Sequence, residues 1–250
     1  MTADATVAGA KDGAVRDAPC EFLDWDTQFW GLRIGRVRGD VRLSPERVDA
    51  WCAEHAIRCL YLLADANDFE TARLAEVAGF RLVDTRMTYA RSVTDDACDG
   101  VGVRLAGDSD IPELRRIAST SYRSTRFYFD PCFPRQLCDE LYATWIERSC
   151  RGYAAAVFVA AGAGGVEGYI SCHLEPGATH GSIGLVGVDA AARGRGVAQR
   201  LIRHACGWFK SAGASRVTVV TQARNVDAQR VYQRSGFLVE DVGVWFHRWS

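Results

Sequence analysis

Two short segments of this 250-residue chain hold residue types that could do chemistry together. Arg193-Gly194-Arg195-Gly196-Val197-Ala198 follows the apolar run Ile183 to Val188 and opens an amphipathic stretch. A turn of that composition curls the backbone so that the amides of Arg195 to Ala198 converge on an anion. The helix behind it adds its dipole, worth roughly 0.3–2 kcal/mol to a charge held at its start. Arg193 and Arg195 can also pair with phosphate oxygens. Further on, Asn225 and Tyr232 stand seven positions apart, just before Gly236-Phe237. A phenol with an ordinary pKa of about 10 can protonate a leaving group. Asn225 can hydrogen-bond a polar chain, or a water, beside it. A pyrophosphate-gripping turn with a proton donor at hand points to acyl transfer from coenzyme A.

The turn also excludes other phosphate chemistries. A dinucleotide fingerprint needs a third glycine three positions after the second, and Gln199 stands there. No Gly-Lys-Ser/Thr run, the mark of a nucleotide triphosphate loop, occurs anywhere. The bland alternatives are a solvated basic turn capping a surface helix, and for Tyr232 a core aromatic on the last helix.

These segments need strands and helices to position them. Ser44-Pro45-Glu46 offers an N-cap and a proline at the first helical position. Ile57 to Ala64 reads as a buried strand and Phe69 to Ala78 as a helix stopped by Gly79, while Phe22 to Val37 reads as extended. Asp110-Ile111-Pro112-Glu113 reads as a capping box opening a helix to about Thr120, and Leu137, Leu141, Tyr142 and Trp145 give Pro134 to Cys150 one apolar helical face. Strands follow at Ala154 to Ala161, Val166 to Glu175 and Ser182 to Val188, then a helix Val197 to Ser211, a strand Arg216 to Gln222, a helix Val226 to Ser235, and terminal strands containing Val239 and Val244 to Arg248. The order is an α/β arrangement with a mixed, mostly antiparallel sheet and is not doubly wound. Residues 1–18 read as a disordered tail, 19–93 as a smaller first domain, 94–100 as a polar linker and 101–250 as the domain carrying the chemistry. Subtracting 157 places Gly236-Phe237 on Gly79-Phe80 and Arg230 on Arg73, but Tyr232 on Ala75 and Asn225 on Asp68. The first domain thus reads as a degenerate copy without the chemical residues.

A formal net charge of −1 gives no global field to recruit nucleic acid or an anionic membrane. No apolar run approaches the roughly 20 residues of a membrane span, and no signal-peptide pattern opens the chain. Nine cysteines, odd in number and without a C-x-x-C pair, read as reduced thiols, so the expected compartment is the cytoplasm.

Val188 through Ala198, followed by Asn225, Ala228, Tyr232, Gly236 and Phe237, resembles the acetyl-CoA-binding core of the GNAT superfamily of N-acetyltransferases. Ser124-Thr125-Arg126-Phe127-Tyr128-Phe129-Asp130 with Asp139, Tyr142, Trp145 and Ile146, and Leu23-Asp24-Trp25-Asp26 with Phe29 and Gly31, are similar to its TDP-fucosamine acetyltransferase branch. The resemblance implies a GNAT fold preceded by a truncated, GNAT-like N-terminal domain, acetyl-CoA as cosubstrate without a metal, and a small-molecule amine acceptor, an amino sugar carried on a nucleotide. It also implies that the strand before the turn, Leu185 to Val188, is splayed from its neighbour. Gly187 sits where a bulge would be easy. The expected cosubstrate contacts are Val186, Gly187, Val188, Arg193, Gly194, Arg195, Gly196, Val197, Ala198, Asn225 and Tyr232, with main-chain N–H groups near Val188 as the oxyanion site and Tyr232 as general acid. For the acceptor, Arg123 and Arg126 could pair with a diphosphate, Tyr128 and its phenylalanine neighbours could stack, and His173 and Glu175 lie near the expected centre, His173 as one candidate base. The alternatives are an antibiotic, amino acid or peptide amine, or a non-catalytic acyl-CoA-binding regulatory module. A homodimer is the assembly kept in view.

Overall fold

A computed structural model of the chain describes residues 18–39, 44–93 and 102–250. The tail over residues 1–17 and the linker 94–100 lie outside the described residues. The described residues divide into two compact units, one within 87–241, the other within 18–86 together with 242–250. The division falls inside two strands, β4 (Arg81–Ser92) and β10 (Leu238–Trp249), each 12 residues and so long enough to serve two cores. The two terminal strands expected from the sequence are therefore one.

In the smaller unit, β1 (Cys20–Phe22) pairs antiparallel with β2 (Ile34–Val37), β2 pairs parallel with β3 (Cys59–Asp65), and β3 pairs antiparallel with residues 243–249 of β10. Helix α1 (Asp24–Trp30) interrupts the stretch read as extended, and Gly31, left-handed at φ 66°, stops it. Helix α2 (Pro45–Glu54) crosses from β2 to β3, as a parallel pair requires. Trp51 of α2 packs so close to β2 that a Cβ on Gly35 would come within 2.8 Å of its ring. Helix α3 (Phe69–Val77) begins at Asp68, whose carboxylate accepts from Thr71 N–H at 2.9 Å.

The other unit runs β5 (Val103–Leu105), α4 (Ile111–Ser121), α5 (Arg126–Phe129), α6 (Arg135–Arg148), β6 (Ala156–Gly162), β7 (Gly165–His173), β8 (His180–Val188), α7 (Val197–Ser211), β9 (Arg216–Gln222) and α8 (Val226–Arg234). Its strands stand in the order β4-β9-β8-β7-β6-β5. The pairs β5–β6, β6–β7 and β7–β8 are antiparallel, and β8 with β9 is parallel across the α7 crossover. One face of this sheet packs Ile170, Cys172, Ile183, Val217 and Val219 against Leu201, Ile202, Ala205 and Phe209 of α7. Tyr169 and Ser171 alternate with Ile170 and Cys172 and so face the other way. Helices α4 and α6 pack together there, around buried Leu114, Ile117, Leu141 and Ile146.

Two local expectations give way to competing partners. Asp110 does not cap α4 through its side chain. Its carboxylate takes a bidentate pair from Arg104 at 2.7 and 2.8 Å and a bond from Gly107 N–H at 2.8 Å, which hold it below the usual carboxylate range. The stretch from Tyr122 to Phe133, to which the sequence assigns no element, contains the short helix α5. No described helix is long and apolar enough to cross a membrane.

Candidate active site

The glycine turn lies between β8 and α7. Gly194 (φ 74°) and Gly196 (φ 77°) are both left-handed, and nothing stands within 4 Å of where a Cβ would project. Their need is thus for backbone conformation and not for room. A short 3-10 turn at Ala190–Ala192 precedes them, capped by Asp189, whose carboxylate accepts from Ala191 N–H at 2.9 Å. Arg116 of α4 ion-pairs with both Glu113 and Asp189, which lowers both carboxyl pKa values and ties α4 to the turn.

Strands β8 and β9 pair from His180↔Arg216 to Ile183↔Val219 and then part, although β8 continues to Val188 and β9 to Gln222. On the other side β8 stays paired with β7 as far as Gly168↔Val188. Asp189 N–H donates to Glu167 C=O at 2.9 Å. Because antiparallel partners alternate, Gly187 also faces β7, and the N–H groups of Val186 and Val188 point toward the opened gap. The Val188 carbonyl on that edge accepts from Arg193 Nε at 3.3 Å.

The bulge expected at Gly187 lies earlier in β8. The register shifts between Ile170↔Val186 and Cys172↔Ile183, leaving Gly184 and Leu185 opposite Ser171, whose hydroxyl accepts from Leu185 N–H at 2.8 Å. Gly187 stays in register opposite Tyr169, whose ring lies where a Cβ would come within 2.6 Å. The Tyr169 hydroxyl meets that of Tyr122 at 3.0 Å, and Tyr122 stacks on Tyr142 with ring centroids 4.3 Å apart. Burial pushes both the Tyr122 and Tyr169 hydroxyls well up from the ordinary value.

A cavity of about 660 Å³ joins the parts. Val186 and Val188 line it, with Arg193, Gly194, Gly196, Val197 and Ala198 from the turn and start of α7, and Asn225, Ala228 and Tyr232 from α8. Thr120, Ser121, Arg123 and Ser124, at the end of α4 and just after it, complete a polar rim. Of the expected cosubstrate residues, Gly187 and Arg195 are not among the lining. Gly187 lies under Tyr169, and Arg195 pairs with Glu167 at 3.1 Å, which Arg200 also engages at 2.9 Å.

Tyr232 is 6% exposed, with its ring 6.0 Å from that of Tyr89 and 6.1 Å from that of Phe237. It belongs both to the apolar core and to the cavity wall, so the two readings of this residue are compatible. Burial raises its pKa well above the ordinary value, so the hydroxyl stays protonated. Asn225 is the N-cap of α8: its carbonyl oxygen accepts from Ala228 N–H at 3.3 Å, which leaves its amide NH2 for the cavity. Nothing in its sequence context marks Gln229, yet it braces this corner. Its amide donates to Ala223 C=O at 2.6 Å, and its oxygen accepts from the buried Tyr89 hydroxyl at 3.1 Å.

The residues expected to meet the acceptor are separated by the fold. Arg126 is buried with its guanidinium over Phe127 at 4.6 Å, and Tyr128 is buried with its hydroxyl on Asp139. Burial takes both out of the exposed roles expected of them. Arg123 is accessible on the rim, paired with Asp139 at 3.0 Å and lying over the Tyr128 ring at 5.0 Å. Phe129 is 57% exposed, with the Arg224 guanidinium over its ring at 4.1 Å. Glu175 is exposed on the turn after β7 and does not line the cavity. His173, also outside the lining, sits over the bulge: a Cβ on Gly184 would come within 2.5 Å of its Nε2, which has no hydrogen-bond partner among the described residues. Burial brings the His173 imidazole down to about 4, against a smaller opposing effect of a backbone hydrogen bond at Tyr153.

Comparison with known proteins places this geometry. Residues 114–237 match the model of the Acetyltransferase (GNAT) family. The chain is 30% identical over 236 residues, 92% of its length and 98% of the relative's, to a dTDP-fucosamine acetyltransferase of Escherichia coli O6:H1. It is 27% identical over 147 residues to the spore coat polysaccharide biosynthesis protein SpsD of Bacillus subtilis, covering 56% of this chain and 48% of that one. In fold it is similar to a GCN5-related N-acetyltransferase from Sphaerobacter thermophilus, with a TM-score of 0.64 at 17% identity over 92% of this chain and 76% of that one. A GCN5-related N-acetyltransferase from Kribbella flavida gives a TM-score of 0.60 at 16% identity over 92% and 86% of the two chains. By these matches the chain belongs to the GNAT family of acyl-CoA-dependent N-acetyltransferases.

Proposed function

We propose that this enzyme moves the acetyl group of acetyl-CoA to the primary amine of an amino sugar carried on a nucleotide diphosphate, by direct attack within a ternary complex. The observation that carries the reading is the single cavity lined by Val186 and Val188 at the opened strand edge, Gly194 and Gly196 at the anion turn, and Tyr232. The turn amides and Arg193 hold the pyrophosphate. The Val186 and Val188 N–H groups, unpaired on the β9 side, bind the pantetheine amide and the thioester carbonyl oxygen, and preorganised donors of this kind stabilise the charge that oxygen gains. Tyr232 gives its proton to the departing thiolate. Burial keeps that phenol protonated, so the proton is there to give. The attacking amine must first lose a proton. His173 offers an imidazole that stays neutral to about pH 4 and an open Nε2 beside the bulge, and we place it at the far end of a water relay. With so low an affinity it passes the proton on and does not keep it.

For the acceptor, the sugar-related names of both sequence relatives support an amino sugar. The exposed Phe129–Arg224 pair supports a nucleotide base stacked at the rim, with Arg123 near its phosphates. The test is a thiol-release screen with acetyl-CoA against TDP-amino sugars, aminoglycosides, amino acids and peptides. Turnover confined to the nucleotide sugars is the expected result. Turnover with another class moves the acceptor assignment there, and binding of acetyl-CoA without turnover on any amine favours a regulatory module.

A further inference from the structure

Beside the main cavity lies a second one of about 480 Å³, between α7 and the end of α8. Arg203 and Ile202 of α7, Arg91 of β4 and Ser235-Gly236 line it, and it shares Gln199 and Arg234 with the main cavity, so the two adjoin. Three guanidinium groups border it, and no carboxylate is among its described lining residues. Arg91 is held in place, donating through Nη1 to Ser235 C=O at 2.6 Å with its guanidinium over the Phe237 ring at 5.8 Å. A fixed cation beside two exposed ones in a concave site is built for a compact dianion and not for a planar carboxylate alone.

The position of the groove says which dianion. Arg203 follows Gly196 by seven residues, about 10 Å along a helix at 1.5 Å per residue, and helical side chains lean back toward the N-terminus. A ligand whose pyrophosphate rests on the Gly194–Gly196 turn would therefore reach the groove with the next nucleoside-sized piece. Coenzyme A carries one further phosphoryl group there, on the 3′-hydroxyl of its ribose. We infer that the Arg91–Arg203–Arg234 groove binds the 3′-phosphate of coenzyme A and makes this enzyme discriminate against cosubstrates that lack it. The inference rests on the acetyl-CoA reading of the main cavity.

Calorimetric titration with coenzyme A and with 3′-dephospho-coenzyme A tests it without any acceptor. The expected result is a Kd roughly tenfold or more higher for the dephospho compound, the usual loss when a charge-assisted contact is removed. That ratio should fall toward one in Arg203→Ala, recover in part in Arg203→Lys, and shrink as salt is raised. Equal Kd values in the wild-type protein, or a ratio that Arg203→Ala leaves intact, overturn the groove assignment while leaving coenzyme A in the main cavity. Binding of neither compound overturns the acetyl-CoA reading itself, and the groove assignment with it.

Discussion

The segment β3–α3–β4 and the segment β9–α8–β10 run in step at a fixed offset but differ in contents. Subtracting 157 from the bounds of β9, α8 and β10 returns 59–65, 69–77 and 81–92, the bounds of β3, α3 and β4. The local hydrogen bonds repeat at the same offset: Asp68 N–H to Asp65 C=O and Asn225 N–H to Gln222 C=O, then Phe80 N–H to Ala75 C=O and Phe237 N–H to Tyr232 C=O. Gly79 at φ 78° and Gly236 at φ 79° end the two helices in the same way. Each preceding crossover also agrees, since α2 stops at Glu54 and α7 at Ser211. What differs is small. Ala75 stands for Tyr232, Asp68 for Asn225, and Val37, inside β2, falls at the place of Gly194. The scaffold is thus separable from the chemistry, and one methyl against one phenol distinguishes a packed helix from a cavity wall.

The largest effect should come from that phenol. Tyr232→Phe is expected to lower kcat by on the order of 10²-fold with little change in melting temperature. The reciprocal Ala75→Tyr should gain no activity and lose stability, because Ala75 is fully buried and overpacking costs about 1–3 kcal/mol. Steady-state rates and thermal melts of the two variants decide this, and an unaltered rate for Tyr232→Phe returns the residue to the core alone. Next come the glycines at offset 157. Gly196→Ala forces a side chain to φ 77°, a strain of about 1–2 kcal/mol, and should raise the KM for acetyl-CoA roughly tenfold. Gly39→Ala, where φ is not left-handed and no atom crowds a Cβ, should not move it. Equal responses would dissolve the distinction between the two turns.

A smaller effect divides the caps. Asn225→Ala and Asp68→Ala should each cost about 1 kcal/mol in urea unfolding, since both side chains cap a helix. Only Asn225→Ala should also raise the KM for acetyl-CoA; a matching rise in Asp68→Ala would break the comparison. The mildest test is one of pH. The folded pKa of His173, about 4, lies below its ordinary 6.5, so the unfolded chain takes up the proton first as pH falls. This group therefore contributes stability fully above pH 6.5 and loses it progressively down to about pH 4. Denaturation midpoints across that window should flatten in His173→Gln, and an unchanged slope would assign the titration elsewhere.

Much of this was legible because local signals and tertiary needs agree in the second copy. The bounds of α7 and β9 follow from apolar periodicity and match the observed residues, and the glycine turn declared itself through composition. What stayed hidden depended on partners distant in sequence. Asp110 looks like a helix cap until Arg104 is seen to claim it. Arg126 and Tyr128 look like ligand contacts until α5 turns them inward. The bulge falls at Gly184 and Leu185 because Ser171 reaches across from β7, and Gly187 is bare because Tyr169 lies over it. Both facts require the strand register, which no single strand encodes. Helix α1 is not announced by the sequence, because aromatic-rich Trp25 to Trp30 has the composition of a strand.

The pairing of β3 with residues 243–249 has a consequence for how the protein is made. Seven residues of β3, Cys59 to Asp65, face partners at 243–249, which a ribosome reaches long after it has made the strand itself. Synthesis at about 5–20 residues per second leaves that strand edge open for many seconds after its own codons are read. An open apolar edge invites pairing with other nascent chains. Cutting the chain at the polar segment after β4, to express the second half alone, would strip residues 243–249 of the same partner. Soluble production should therefore require β3 and residues 243–249 together, and fragments carrying one each, co-expressed from two messages, should rescue one another.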